Sequence, residues 1–207
     1  MNKMVIPIGI DINEVHAVFG CKDEIFFNRL LTSDFYKKFD DELSFKKELY
    51  DILFNYVPIE KRIIIPPKLF GLIKEDNGRG LKGQWNDYGY ALLTICSYLG
   101  EKFSTDNSEF IYGESWWQIN TLLRENNASF DLSRMLESKQ IFDTPFEYDD
   151  IYTNLYNKKE IEEFVSHIKY MEQKIKKENL LLFNSLKNGL LNCHQKNLDL
   201  LVFSHEI

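Results

Sequence analysis

Apolar β-rich runs stand at the two ends of the chain, and apolar residues at helical spacing fill much of what lies between them. Val5 to Ile12 reads as a first strand, after which Asn13 is placed to cap a short helix carrying Val15, Ala17, Val18 and Phe19, stopped by Gly20. Lys22 to Leu31 gives a second short helix and Leu43 to Tyr56 a third, its apolar face formed by Phe45, Leu49, Ile52, Leu53 and Tyr56 and its end set by Pro58. Ile63 to Ile65 is strand-like and runs into the rigid Pro66-Pro67 turn, and Glu75 to Gly83 is a polar loop rich in glycine. Tyr88 to Leu99 predicts a buried helix, with Tyr88, Leu92, Ile95 and Leu99 on one face and Gly100 as the residue that ends it.

In the second half, Ser115 is placed to cap a helix reaching Leu123, with Trp116, Ile119 and Leu123 on one face. Asn157 and Glu160 have the spacing of a capping box, and Tyr156 with Ile161 that of a hydrophobic staple, so a helix begins at Lys158. Its stripe of Ile161, Phe164, Val165, Ile168, Met171 and Ile175 is followed, after a break near Asn179, by a second helical stretch through Leu182, Phe183, Leu186 and Leu190. Leu198 to His205 reads as a terminal strand. Lys139 to Tyr156 shows no helical period and mixes acids with aromatics, the pattern of an exposed loop. The fold class expected is α+β: a helix-rich single domain over residues 1–207, with a small sheet that includes the N- and C-terminal strands.

Composition narrows the function. With 207 residues, 44% hydrophobic and 14% aromatic, the chain has ample material for a core. A net charge of -7 disfavours a nucleic-acid backbone or an anionic membrane as partner and favours a basic one. Cys21, Cys96 and Cys193 are far apart and form no C-x-x-C pair, which points to a reducing cytoplasm rather than a disulfide framework. The apolar start lacks the cleavage pattern of a signal peptide, and no run approaches the roughly 18 apolar residues of a membrane span. The expected location is the cytoplasm.

The segment Trp85 to Gly100 carries a Tyr88-Gly89-Tyr90-Ala91-Leu92 run with Cys96 and Leu99-Gly100 downstream. It resembles the central motif of an uncharacterised bacterial domain-of-unknown-function family and, more distantly, the layout of the YfbM-like proteins. In that layout a strand and short helix open the chain (Met4 to Phe19), a Trp-bearing helix follows the motif (Trp116 to Leu123), and a long helix leads to a terminal strand (Lys158 to Val202). The resemblance implies an α+β domain and no reaction. A lysine-rich helix and the acidic-aromatic loop depart from the pattern.

Candidate chemistry is sparse. Gly78 to Gly83 fits G-x-G-x-x-G, but Glu75-Asp76-Asn77 precedes it and Gln84 to Asp87 separates it from the helix, which is not the strand-turn-helix setting of a dinucleotide site. His16, His167, His194 and His205 show no paired metal-ligand spacing, and Cys193-His194 are neighbours whose side chains diverge on a helix. No cofactor, metal or catalytic residue is expected. The leading expectation is a non-catalytic interaction protein, an immunity or inhibitor protein that masks a basic effector, with Asp143, Glu147, Asp149 and Asp150 steering the partner and Phe146, Tyr148 and Tyr152 anchoring it. The alternative is a small-ligand or nucleotide-binding domain, possible enzyme included, built on Arg79, Lys82, Trp85 and Tyr88.

Overall fold

The structure, a computed structural model, describes residues 3–39, 45–56, 82–103, 110–137, 139, 141–142 and 151–206, with side chains described except at 38–39, 82–87, 110 and 206. An antiparallel sheet forms its middle layer. Strand β1 (Lys3–Ile10) lies beside β5 (Asp199–Glu206), and β5 beside β4 (Ile151–Tyr156). On the free side of β1, two short strands pair one after the other, β2 (Glu101–Lys102) at Ile8 and Gly9 and β3 (Phe110–Ile111) at Met4 and Val5. The terminal strands are therefore the central pair, in register from Lys3 opposite Glu206 to Ile10 opposite Asp199. The α+β class and the small sheet built on both ends of the chain are as the pattern predicts.

Helices cover both sheet faces, so the strands are apolar on both sides. Ile6, Ile8 and Ile10 with Leu201, Phe203 and Ile151 point to one face and meet α1 (Ile12–Val18), α2 (Glu24–Leu31), α3 (Asp34–Phe39), α4 (Lys46–Phe54) and α5 (Lys82–Leu99). Val5, Leu200, Val202 and Tyr156 point to the other face. There they pack against α6 (Glu114–Glu125), a 3₁₀ turn at Leu132–Leu136, α7 (Lys158–Lys174) and α8 (Leu180–Lys196). Burying these ten strand side chains, at about 1.5–3 kcal/mol each relative to exposure, is the main force joining the layers.

Helix boundaries follow capping chemistry. The cap of α1 is Asp11 rather than Asn13: because β1 ends at Ile10, Asp11 is the first free residue, and its carboxylate accepts from the Asn13 N–H at 2.9 Å. Asp23 caps α2 in the same way through the Phe26 N–H. The capping box of α7 forms as expected, with Asn157 Oδ1 accepting from the Lys159 and Glu160 N–H groups and Glu160 accepting from the Asn157 N–H at 2.8 Å. The staple residues Tyr156 and Ile161 are buried in one cluster. The expected break near Asn179 is a 3₁₀ turn, Lys177–Asn179, between α7 and α8. Helix α6 starts one residue before Ser115, behind Gly113, which offers no side-chain cap.

Two expectations need correction. The polar stretch Gln84 to Asp87 does not separate the glycines from the helix, because α5 already begins at Lys82 and includes Gly83. One helical glycine costs about 1 kcal/mol, less than the buried stretch from Ala91 to Cys96 provides. The exposed loop expected from Lys139 to Tyr156 ends early: Ile151–Tyr156 is a strand. Its two faces are both covered, so the apolar-polar alternation that would have marked it is missing. The Ile63 to Pro67 run and most of the glycine-bearing loop lie outside the described residues.

Candidate functional site

The Tyr88 to Gly100 motif is a packing device. Gly89, on α5, packs directly against β4, where an added Cβ would come within 2.7 Å of Ile151 Cδ1. At Gly100 it would stand 2.9 Å from both the Cys96 and Gly9 carbonyl oxygens and against Ile8. Gly100 does end α5, its N–H donating to Cys96 O at 2.8 Å, but the need is for space and not for a left-handed backbone. Tyr90 stacks on Phe45 and meets His205 edge-on at 6.2 Å. Cys96 is fully buried, and desolvation pushes its thiol far above its ordinary pKa, leaving it inert. Of the four residues expected to form a ligand site here, Arg79 lies outside the described residues, Lys82 and Trp85 lie on α5 with side chains outside them, and Tyr88 is half-buried against the core.

The acidic-aromatic segment is tied at both ends. Phe142, 2% exposed, packs against the rings of His16 and Phe19 with centroids 5.7 Å away in each case. On the far side Ile151 is buried against Gly89. Asp143, Phe146, Glu147, Tyr148, Asp149 and Asp150 lie outside the described residues. Tyr152 is not on a loop: it sits in β4 opposite Ser204, half-buried, with Lys3 Nζ 4.2 Å above its ring.

A polar network joins α6, the 3₁₀ turn, β4 and α7. Asp131 accepts from Asn120 Nδ2 at 2.7 Å, Arg124 at 2.8 Å and the Ser133 N–H at 2.8 Å. Desolvation opposes its charge, but these bonds outweigh it and hold the carboxyl well below the usual range. Tyr156 donates its hydroxyl to Asp131 O at 2.8 Å, and Arg134 lies 4.6 Å over the Tyr156 ring while pairing with Glu160. These groups are spent on one another, which suits a structural joint.

A cleft of about 310 Å³ opens between α6 and the α7–α8 connection. Gln118, Thr121 and Glu125 line one wall; Lys174, Lys176 and Asn179 line the other. Asn179, 2% exposed, donates to Gln118 Oε1 at 2.5 Å, and Gln118 donates to Glu114 at 3.0 Å, so the amides at one end are held in place. Trp117, 54% exposed, precedes Thr121 and Glu125 on the same i, i+4, i+8 row of α6, with Ile111, 62% exposed, on the strand before the helix. This region was not singled out from the sequence. The signal was a Trp-x-x-x-Thr-x-x-x-Glu row, whose polar members look like ordinary solvated positions until a second helix end faces them.

A second cleft of about 230 Å³ includes Lys158, Glu162, Cys193, His194 and Asn197. Cys193 is buried, its thiol pushed up to about 12 by desolvation and the charges of Glu101 and Asp199, while His194 is exposed. The neighbours diverge, as their helical spacing requires. Among the described residues no group of three His, Cys, Asp or Glu side chains is placed to hold a metal ion, and no helix is long and apolar enough to cross a membrane.

A small antiparallel sheet clad in helices on both faces, with two open polar clefts, defines an α+β domain. The chain belongs to the family described as Domain of unknown function (DUF7691), whose model matches residues 1–205. No curated protein and no solved structure matches it.

Proposed function

We propose that the chain is a non-catalytic interaction protein whose partner is a basic protein, and more specifically a bacterial, cytoplasmic immunity or inhibitor protein that masks such an effector. The observation that carries this reading is the fastening of the acidic-aromatic segment: Phe142 and Ile151, on either side of it, are both buried in the same core cluster. Its acids belong to a molecule of net charge -7, which favours steering of a cationic partner. Trp117 and Ile111 add exposed apolar surface of the kind that anchors protein interfaces.

The test is capture of a partner from host lysate with the tagged protein, followed by charge reversal of Asp143, Glu147, Asp149 and Asp150. Reversal should slow association about tenfold or more at low salt, with the difference shrinking as salt rises. Unchanged association kinetics with a genuine partner would overturn the steering role.

The α6 cleft favours a second reading, a small-ligand-binding domain. Its volume of about 310 Å³ stands at the lower end of small-molecule sites, roughly 300–1,000 Å³.

A further inference from the structure

We propose that the α6 cleft binds a small zwitterion, a free amino acid or dipeptide, holding the carboxylate at Lys174 and Lys176 and the ammonium at Glu125. The inference rests on the small-ligand reading of this cleft.

Three observations converge on a bipolar ligand. The first is charge without partners. Glu125, Lys174 and Lys176 all line the cleft, yet they make no ion pair or hydrogen bond with one another or with any described residue. Some other charges on these helices do pair, Lys187 with Glu172 at 3.1 Å and Arg124 with Asp131 at 2.8 Å. A carboxylate and two ammoniums that face a shared space without meeting leave room for a ligand of opposite polarity at each end.

The second is the backbone. Glu125 is the last residue of α6, where helix carbonyls gather and a cation is favoured. Lys176 directly precedes the 3₁₀ turn that leads into α8, where backbone N–H groups gather and an anion is favoured. The backbone fields at Glu125 and Lys176 therefore have the same sense as the side-chain charges, whereas Lys174 closes α7 at a carbonyl end and acts through its ammonium alone.

The third is preorganisation and size. The buried Asn179 is fixed by Gln118, and Gln118 by Glu114, so this wall need not reorganise on binding. A volume of about 310 Å³ admits an amino acid or dipeptide and little more. Leu122, in the cleft lining, gives an apolar side chain a surface to rest on.

The experiment is a screen of the twenty free amino acids and a panel of dipeptides against the full chain, by titration calorimetry and tryptophan fluorescence. Expected is saturable one-to-one binding of at least one of them, with affinity reduced tenfold or more by Glu125→Gln and by the Lys174→Ala/Lys176→Ala pair. The same ligand with its amine acetylated, or its carboxylate amidated, should bind at least tenfold more weakly. All three substitutions are at exposed positions, and circular dichroism on heating checks that the variants unfold as the parent does. Binding by none of the zwitterions overturns the proposal. Equal binding of the acetylated ligand, lost in the lysine pair, also overturns it but leaves a small-ligand cleft standing as an anion site. A Thr121→Trp variant fills the cleft; undiminished binding to it places the ligand elsewhere and sinks both the inference and the cleft reading.

Discussion

At Gly100 a single hydrogen is all that the space allows. A methyl group there meets two backbone carbonyls, which cannot rotate away as a side chain would, so Gly100→Ala should destabilise the fold by about 2 kcal/mol or more. Gly113 is the contrast. Nothing lies within 4 Å of a Cβ built there, and it occupies the cap position of α6 without a side chain to cap it. Gly113→Ser should therefore be stabilising by a few tenths of a kcal/mol. Urea unfolding of the two variants beside the parent distinguishes a glycine kept for space from one that is dispensable.

Asp131 makes a prediction about pH. Its folded pKa is depressed, so its ionisation contributes stability above the unfolded pKa of about 3.9, and that contribution fades as pH falls toward the folded value. The stability gap between the parent and Asp131→Asn should be constant from neutral pH to about 4 and should narrow below it. A gap that widens on acidification would show that the carboxylate is not held in its charged form. Of this network the sequence pattern picked out only Tyr156 and Glu160, as staple and capping-box residues. That Asn120, Asp131, Tyr156 and Glu160 converge was not legible there, since three segments distant in the chain supply them.

Among the elements, α7 shows how far local chemistry reaches. Asn157, Glu160, Tyr156 and Ile161 lie within six residues, so the capping box and staple are readable without the fold, and both are present. Asn157→Ala should cost about 1 kcal/mol. Glu160→Ala should cost more, because Glu160 also pairs with Arg134 on the 3₁₀ turn, and removing it leaves that half-buried guanidinium unmatched. Chemical denaturation of both variants checks the order; equal losses would mean the Arg134 pair contributes nothing. Strand β4 is the opposite case. Its six residues alternate between two buried faces, so the usual strand signal is absent, and the acids before it suggest a loop. Tertiary cover on both sides overrides that local appearance. The short α3 and the 3₁₀ turn at Leu132–Leu136 likewise carried too few residues to show a period.

For the whole molecule, the sheet order makes β5 the most enclosed strand: β1 and β4 flank it, helices lie over both faces, and Leu200 to Phe203 are all buried. Amide exchange should be slowest there and in the facing part of β1, and faster in α2 and α4, whose Ile25 and Tyr50 remain exposed. Slower exchange in α2 than in β5 would contradict this layering. Periodicity and capping within a few residues determined where most helices lie, that the two ends are strands, and hence the α+β class, because those signals act through neighbours along the backbone. Only the tertiary structure decided that the terminal strands are adjacent, that the Tyr88 to Gly100 motif serves packing, and that Glu125 faces Lys174 and Lys176 across an open cleft. Those relations join residues some fifty to two hundred positions apart, and no local pattern encodes which distant surfaces will bury one another.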